Sequence, residues 1–399
     1  MTRILRRWSG RLEEYDTLLL GAVLLLCIVG TVMVYEAGSF RPEALRAGQG
    51  QMYYLVKQLA RLALGLAALF AIAGRDERVL RRPRVNWGLF AGTMGLMVLT
   101  VVIGHAFARA GCSRWVGFLQ PIELAKVALV IFMAERLADP YRQWAFDREF
   151  LQLIAAPGAL VALLVLQPNF GNALVICLFT LVLLFVAGMP LRMLGLLLGP
   201  AVAVAGAGVL IVPKLNHRFA AWWAGLHGHE GSYQMQQSLI GLGAGGWHGF
   251  GFGGSHQRFW FLPESHTDFI FSVLGEELGL IGAVATLTAL VIVVLRGFAI
   301  ARRAPDRYSR LLAAGLTSQL FLYAFLNVGM VTGVVPVMGL PLPFVSYGGS
   351  ALVTNLAAVG LLLAIDRRGR ATRPAAHRAT RLWATAAEGR GLGWSRAQG

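Results

Sequence analysis

Ten runs of about twenty apolar residues dominate the chain, at roughly 17–35, 54–73, 86–106, 119–137, 150–167, 171–190, 191–212, 269–295, 309–333 and 346–365. At ~1.5 Å rise per residue, each is long enough as a helix to cross ~30 Å of hydrocarbon. A soluble core could not absorb so many. Composition agrees: the 399 residues are 56% hydrophobic and 14% charged, with mean hydropathy +0.62. Within lipid each backbone polar group must be satisfied inside its own segment, so the runs read as helices. The expected fold is therefore an all-α polytopic membrane protein of about ten transmembrane helices, with a large outer loop, 213–268, between the seventh and eighth. The first run is too long for a cleavable signal and ends at "MVYEAGSF" rather than at a small-residue cleavage site.

Basic residues orient the bundle. With the N-terminus inside, the inner segments carry 25 Lys and Arg, and the outer ones carry 7: Arg41, Arg46, Arg109, Arg114, Lys214, Arg218 and Arg258. This is the positive-inside bias, and it places both termini in the cytoplasm. The net charge of +16 follows from topology and attraction to anionic headgroups, and no nucleic-acid-binding module accompanies it. Residues 1–16 form a basic cytoplasmic N-terminus and 17–366 the membrane domain. The Arg-, Ala- and Gly-rich tail 367–399 is expected to be disordered. Cys27, Cys112 and Cys177 have no metal-ligand or disulfide pattern, and the "HGHE" at 227–230 reads as solvated loop rather than as a metal site.

The stretch "WFLPESHTDFIFSVLGEELGLIG", residues 260–282, places Glu264, His266 and Asp268 at the mouth of a span and Glu276 and Glu277 inside it. Asp268 is the sole aspartate among the five outer carboxylates. The preceding loop is dense in glycine between Gly241 and Gly254, which permits close backbone approach, but it lacks the Walker spacing of a nucleotide loop. Glu123 and Lys126 are three residues apart and so share a helix face, where they can pair. Arg61 lies inside the second run, where a charge is costly without a partner or a wet cavity. A polar cavity in the outer half of the bundle, lined by Arg61, Glu123, Lys126 and Glu276, is one reading; separate structural ion pairs are the other.

These motifs resemble the SEDS family, the RodA and FtsW glycan polymerases. "LPESHTDFIFSVLGEELGLIG" is similar to that family's LPExHTDFIFAxxxEELGLxG segment. Four more stretches match in order: "SRWVGFLQPIELAK" (113–126), "QPNFGNA" (167–173), "QQSLIGLGAGGWHGFGFGGS" (236–255) and "NVGMVTGVVPVMGLPLPFVSYGGSA" (327–351). Asn169, Asn172 and Ile122 depart from the family pattern. The spacing of "GFGGSHQRFWFLPE" is closer to FtsW, whereas "NVGMVTGVVPVMG" leans towards RodA.

The resemblance implies polymerisation of peptidoglycan from lipid II at the outer leaflet of the bacterial cytoplasmic (inner) membrane, by inverting glycosyl transfer, in division or elongation. Such a step needs a base for the acceptor hydroxyl and cations for the departing pyrophosphate. Asp268 is the expected base. Arg114, Lys214, Arg258 and, from within the cavity, Lys126 are the expected cations, with Glu123 orienting Lys126. Trp115, Glu264, Glu276 and Ser346 fall in the same motifs and complete the expected substrate-binding set. No outer carboxylate pair demands a metal, and a divalent cation is left open. Implied partners are a class B penicillin-binding protein and other divisome or elongasome membrane proteins. A lipid II flippase and a non-catalytic scaffold for that transpeptidase are the alternatives.

Overall fold

The structure, a computed structural model, describes residues 15–38, 52–106, 114–116, 119–142, 144–227, 229, 231–257 and 261–391. A helix stands at each of the ten expected positions. In chain order these are α1 (Thr17–Gly38), α2 (Met52–Ala73), α3 (Pro83–Ala106), α4 (Pro121–Arg136), α5 (Arg148–Leu166), α6 (Phe170–Val186) and α7 (Leu191–Ile211). Two helices of the expected outer loop follow, α8 (Pro213–Leu226) and α9 (Tyr233–Ala244), and then α10 (Ile270–Arg303), α11 (Arg307–Val331) and α12 (Gly349–Gly391). Eight of the helices are long and apolar enough to cross a bilayer, while α6 and α4 are shorter, at 17 and 16 residues. The described residues contain no β-strand, only an isolated bridge between Val116 and Leu119.

Local chemistry starts these helices where they start. Asp147 accepts the Phe150 amide at 2.8 Å, Asp306 accepts that of Ser309 at 2.9 Å, and Ser232 caps α9 through Met235. Pro83, Pro121 and Pro213 occupy the first position of α3, α4 and α8, where the missing amide hydrogen has no intrahelical partner to lose. The closest pairing is α2 against α12. A side chain at Gly65 would collide with Leu356, and one at Gly360 with the Leu69 carbonyl, so the two backbones touch. α11 and the first half of α12 form the buried centre, whereas none of the described residues of α7 is buried.

Within the 213–268 segment, α8 and α9 contribute 14 and 12 residues, so the outer loop is partly helical. Beyond the last span, α12 continues to Gly391. A finished span supplies the helical nucleus, and Ala and Arg propagate it readily.

The glycine run after α9 has a specific role. α10 is broken at Gly279, where φ is 66° and ψ −166°, and the run fills the break. The amides of Phe250 and Gly251 donate to the Glu276 and Glu277 carbonyls (3.1 and 2.9 Å), and those of Leu280 and Ile281 donate to Gly246 and Trp247 (2.9 and 3.3 Å). A Cβ at Gly249 would lie 2.1 Å from the Glu277 carbonyl oxygen, so only glycine fits there. Irregular backbone is thus tolerated inside a spanning helix because a second backbone segment satisfies it.

Candidate active site

Asp268 ends a tight turn just before α10. Its amide donates to the Glu264 carbonyl at 3.1 Å, and the Thr267 hydroxyl donates to the Glu264 carboxylate at 2.8 Å. Asn327 of α11 donates its side-chain amide both to the Asp268 carbonyl (2.8 Å) and to the Leu340 carbonyl (2.6 Å). That one residue ties the Asp268 turn to the segment between α11 and α12. Gly339 in this segment has φ 69°, and a Cβ there would approach Asp268 Oδ2 to 3.2 Å. The segment also rests on Gly171 at the start of α6, where a Cβ would meet the Met338 carbonyl at 2.7 Å. Beside the turn, the Tyr347 amide donates to the His266 carbonyl at 3.0 Å, and the His266, Tyr54 and Tyr347 rings cluster. Arg61 lies over the Tyr347 ring at 4.5 Å, which gives this charge its partner.

Asp268 is half-buried. Loss of water around it, reinforced by the negative charge of Glu264 and opposed by Arg114 and Arg218, pushes its pKa up to about 7. Placement beside a helix start favours the ionised form. Desolvation outweighs the dipole here, because the carboxylate sits against the Gly339 backbone rather than in open water.

A cationic rim faces this carboxylate. Arg114 is fixed by hydrogen bonds to the Gln167 and Pro168 carbonyls (3.3 and 2.7 Å), just before α6. Its pKa is lowered by desolvation and by Arg218, with Asp268 acting in the opposite sense. Lys214 is lowered by desolvation, by Arg218 and by Arg114. Arg114 and Arg218 act both on Asp268 and on Lys214, so three mutually repelling cations gather near the Asp268 and Glu264 carboxylates, an arrangement suited to an anion.

Glu123 and Lys126 pair as expected, at 2.8 Å, with each side chain 2% exposed. Lys126 Nζ also lies 3.7 Å from the Tyr323 ring centre, the Tyr323 hydroxyl donates to Asn172, and Asn172 donates to Asn169 at 2.9 Å. Tyr323 is one helical turn from Asn327, so this buried network lies one turn along α11 from the residue that holds the Asp268 carbonyl. Arg61 and Glu276 have partners of their own: Arg61 lies over the Tyr347 ring. Glu276 accepts from the Ser255 hydroxyl and from the amides of His256 (2.9 Å) and Gln257 (3.2 Å), so it anchors the end of the glycine run.

Residues 16–371 match the family model of the cell cycle proteins FtsW, RodA and SpoVE. The chain belongs to this family. It is 38% identical over 371 residues to the probable peptidoglycan glycosyltransferase FtsW of Geobacter metallireducens, covering 90% of this chain and 97% of that protein. Stage V sporulation protein E of Bacillus subtilis is 33% identical over 366 residues, covering 89% and 98%. The crystal structure of the Thermus thermophilus rod shape determining protein RodA matches with a TM-score of 0.62 at 28% identity, over 88% of this chain and 97% of that one. A chain from a structure describing coordination of polymerization and crosslinking by a peptidoglycan synthase complex matches at 0.70 and 27% identity, over 89% and 98%.

In this FtsW/RodA/SpoVE family member the remaining expected residues are placed as follows. Ser346 is buried and accepts the Leu342 amide at 2.8 Å, so it shapes the turn before α12. Trp115 is 39% exposed beside Arg114, and Glu264 is exposed. Arg258 lies outside the described residues. The divergent Asn169 and Asn172 carry the polar network that reaches Lys126. Among the described residues no three His, Cys, Asp or Glu side chains come together as a metal site. Arg218 was absent from the expected set, yet it follows Lys214 by four residues on α8, a spacing that puts both on one helix face.

Proposed function

We propose that this protein polymerises peptidoglycan strands from lipid II, with Asp268 as general base. The observation that carries the reading is the place of Asp268: a carboxylate at the mouth of a spanning helix, with Glu264 beside it and Arg114 and Arg218 near enough to act on it, and raised by desolvation to a pKa of about 7. A base is most effective when its pKa lies close to the working pH. The acceptor's GlcNAc 4-hydroxyl passes its proton to the Asp268 carboxylate as its oxygen attacks the anomeric carbon of the donor MurNAc. The bond from that carbon to the undecaprenyl pyrophosphate breaks, and the configuration inverts. Arg114, Lys214 and Arg218 neutralise the departing pyrophosphate before it returns to water. Asp268 and the neighbouring Glu264 are the described carboxylates that would meet a divalent cation here.

The membrane placement belongs to the same proposal. The protein sits in the bacterial inner membrane with both termini in the cytoplasm, since Lys and Arg crowd the end opposite Asp268. Asp268 then lies at the outer leaflet, where lipid II presents its sugars. A class B penicillin-binding protein is the proposed partner, supported by the similarity to a chain of a synthase complex. The similarity to FtsW relatives favours a role in division. Purified protein supplied with lipid II, with and without the transpeptidase, should yield glycan strands. Transbilayer movement of lipid II without strand formation would replace this reading with a flippase. Strand synthesis only by the partner would leave a scaffold.

A further inference from the structure

At the end of the bundle opposite Asp268, α2 stops at Ala73 and the chain turns through Arg75 and Asp76 into a short 3-10 helix, Glu77–Arg81. Beside it, the apolar stretch of α12 ends at Ile365 and gives way to Asp366, Arg367, Arg368 and Arg370. Between them lies a cavity of about 620 Å³, lined by Arg75, Arg78, Arg367, Arg368 and Arg370 with Asp76 and Glu77. Nothing in the polymerisation step uses it.

The charges of this cavity do not cancel where they stand. Arg368, 11% exposed, is compensated: it pairs with Glu77 at 3.0 Å and with Asp306, and it donates to the Ser309 hydroxyl at 2.6 Å. Its Nε nevertheless has no hydrogen-bond partner among the described residues. Arg370 is held by Asp366 at 2.8 Å, and Arg78 lies 3.7 Å from Asp76. Arg75 and Arg367 have no carboxylate within ion-pair distance among the described residues. The Arg367 guanidinium is held instead on the main chain of Arg75, donating to its carbonyl at 3.2 Å. Two uncompensated guanidiniums thus share one wall, next to a buried arginine with an unused donor.

We infer that this cleft binds a phosphate-ester anion, presented by the headgroup of an anionic phospholipid. Guanidinium forks match phosphate oxygens bidentately. The depth fits as well. Arg75 and Arg367 stand within two residues of the last apolar residues of two helices packed along their length, which is the level of lipid phosphates. A cavity of this size admits a headgroup, whereas soluble phosphate shares the chemistry but not the anchoring chain.

The test uses the full-length protein in a zwitterionic detergent. Phosphatidylglycerol, phosphatidylcholine and inorganic phosphate are titrated separately, with retained lipid read by native mass spectrometry and melting temperature read alongside. Phosphatidylglycerol should bind saturably and raise the melting temperature, and phosphatidylcholine should do neither. Arg75→Gln/Arg367→Gln should weaken that binding about tenfold or more, as expected for lost charge-assisted hydrogen bonds. Arg75→Gln alone, at an exposed position, should give an intermediate loss. Arg148→Gln/Arg192→Gln, which removes equal charge from exposed sites at the same end, should bind as wild type. Saturable binding of inorganic phosphate at the same concentrations would keep the anion site but overturn the lipid source. Equal weakening in the control pair, or no preference for phosphatidylglycerol, would overturn the site.

Discussion

Replacing Glu123 by alanine removes one half of an ion pair sealed inside the bundle. The carboxylate and the Lys126 ammonium are 2.8 Å apart, and each side chain is 2% exposed. Glu123 also lies in the first turn of α4, where the helix dipole favours a negative charge. Without it, the ammonium keeps only the Tyr323 ring at 3.7 Å. A cation–π contact of ~2 kcal/mol cannot offset the several kcal/mol of desolvation that the pair had balanced. Glu123→Ala and Lys126→Ala should therefore each destabilise the protein by about 3–5 kcal/mol. The double variant Glu123→Ala/Lys126→Ala leaves no buried charge and should cost far less than the two singles together. The coupling would be at least ~2 kcal/mol. Unfolding in mixed micelles, measured for all four proteins, gives that coupling directly. Losses that add would refute a buried pair, whatever happens to activity.

Four further outcomes follow from the geometry. The rate of strand synthesis should rise with pH through about 7 and then level off, because Asp268 must be ionised to accept a proton. By linkage, a folded pKa raised from 3.8 to about 7 means that stability falls as pH rises between those values and then levels off, so the melting temperature of Asp268→Asn relative to wild type should be higher at pH 8 than below pH 4. Arg218→Gln should raise KM for lipid II or lower turnover while leaving the melting temperature unchanged, since it acts on the anion rather than on the fold; a stability loss with normal kinetics would remove it from the rim. Gly279→Ala should destabilise by more than ~1 kcal/mol and loosen amide-exchange protection at Phe250 and Gly251, because its φ of 66° and the adjoining Gly249 backbone exclude a side chain.

The spans were legible because hydrocarbon thickness sets a length that twenty apolar residues reveal directly. The Glu123–Lys126 pair was legible because three residues along a helix is a contact. Asp268 stood out as the sole aspartate among the outer carboxylates. What stayed hidden depended on backbone meeting backbone. Nothing in "EELGLIG" says that Gly279 breaks the helix and that another segment fills the break, so Glu276 looked like a cavity residue when it anchors the Gly-rich run. The separate partners of Arg61, Glu123 and Glu276 were hidden for the same reason, since the three lie on helices whose rotations the sequence does not give. α8 was partly readable, since Pro213 stands at its first position and Lys214 and Arg218 share one face, but it is too short and polar for length and hydropathy to reveal it.

The most direct measurement of the central claim is the initial rate of glycan-strand formation from lipid II by purified Asp268→Asn at pH 8, beside wild type and with the melting temperature of each sample recorded. Asparagine keeps the shape and the Asn327 contact to the main chain while removing the base. The account predicts a rate ~10²–10⁴-fold lower in a protein that melts no earlier than wild type. A rate within a few-fold of wild type in such a folded sample would contradict it.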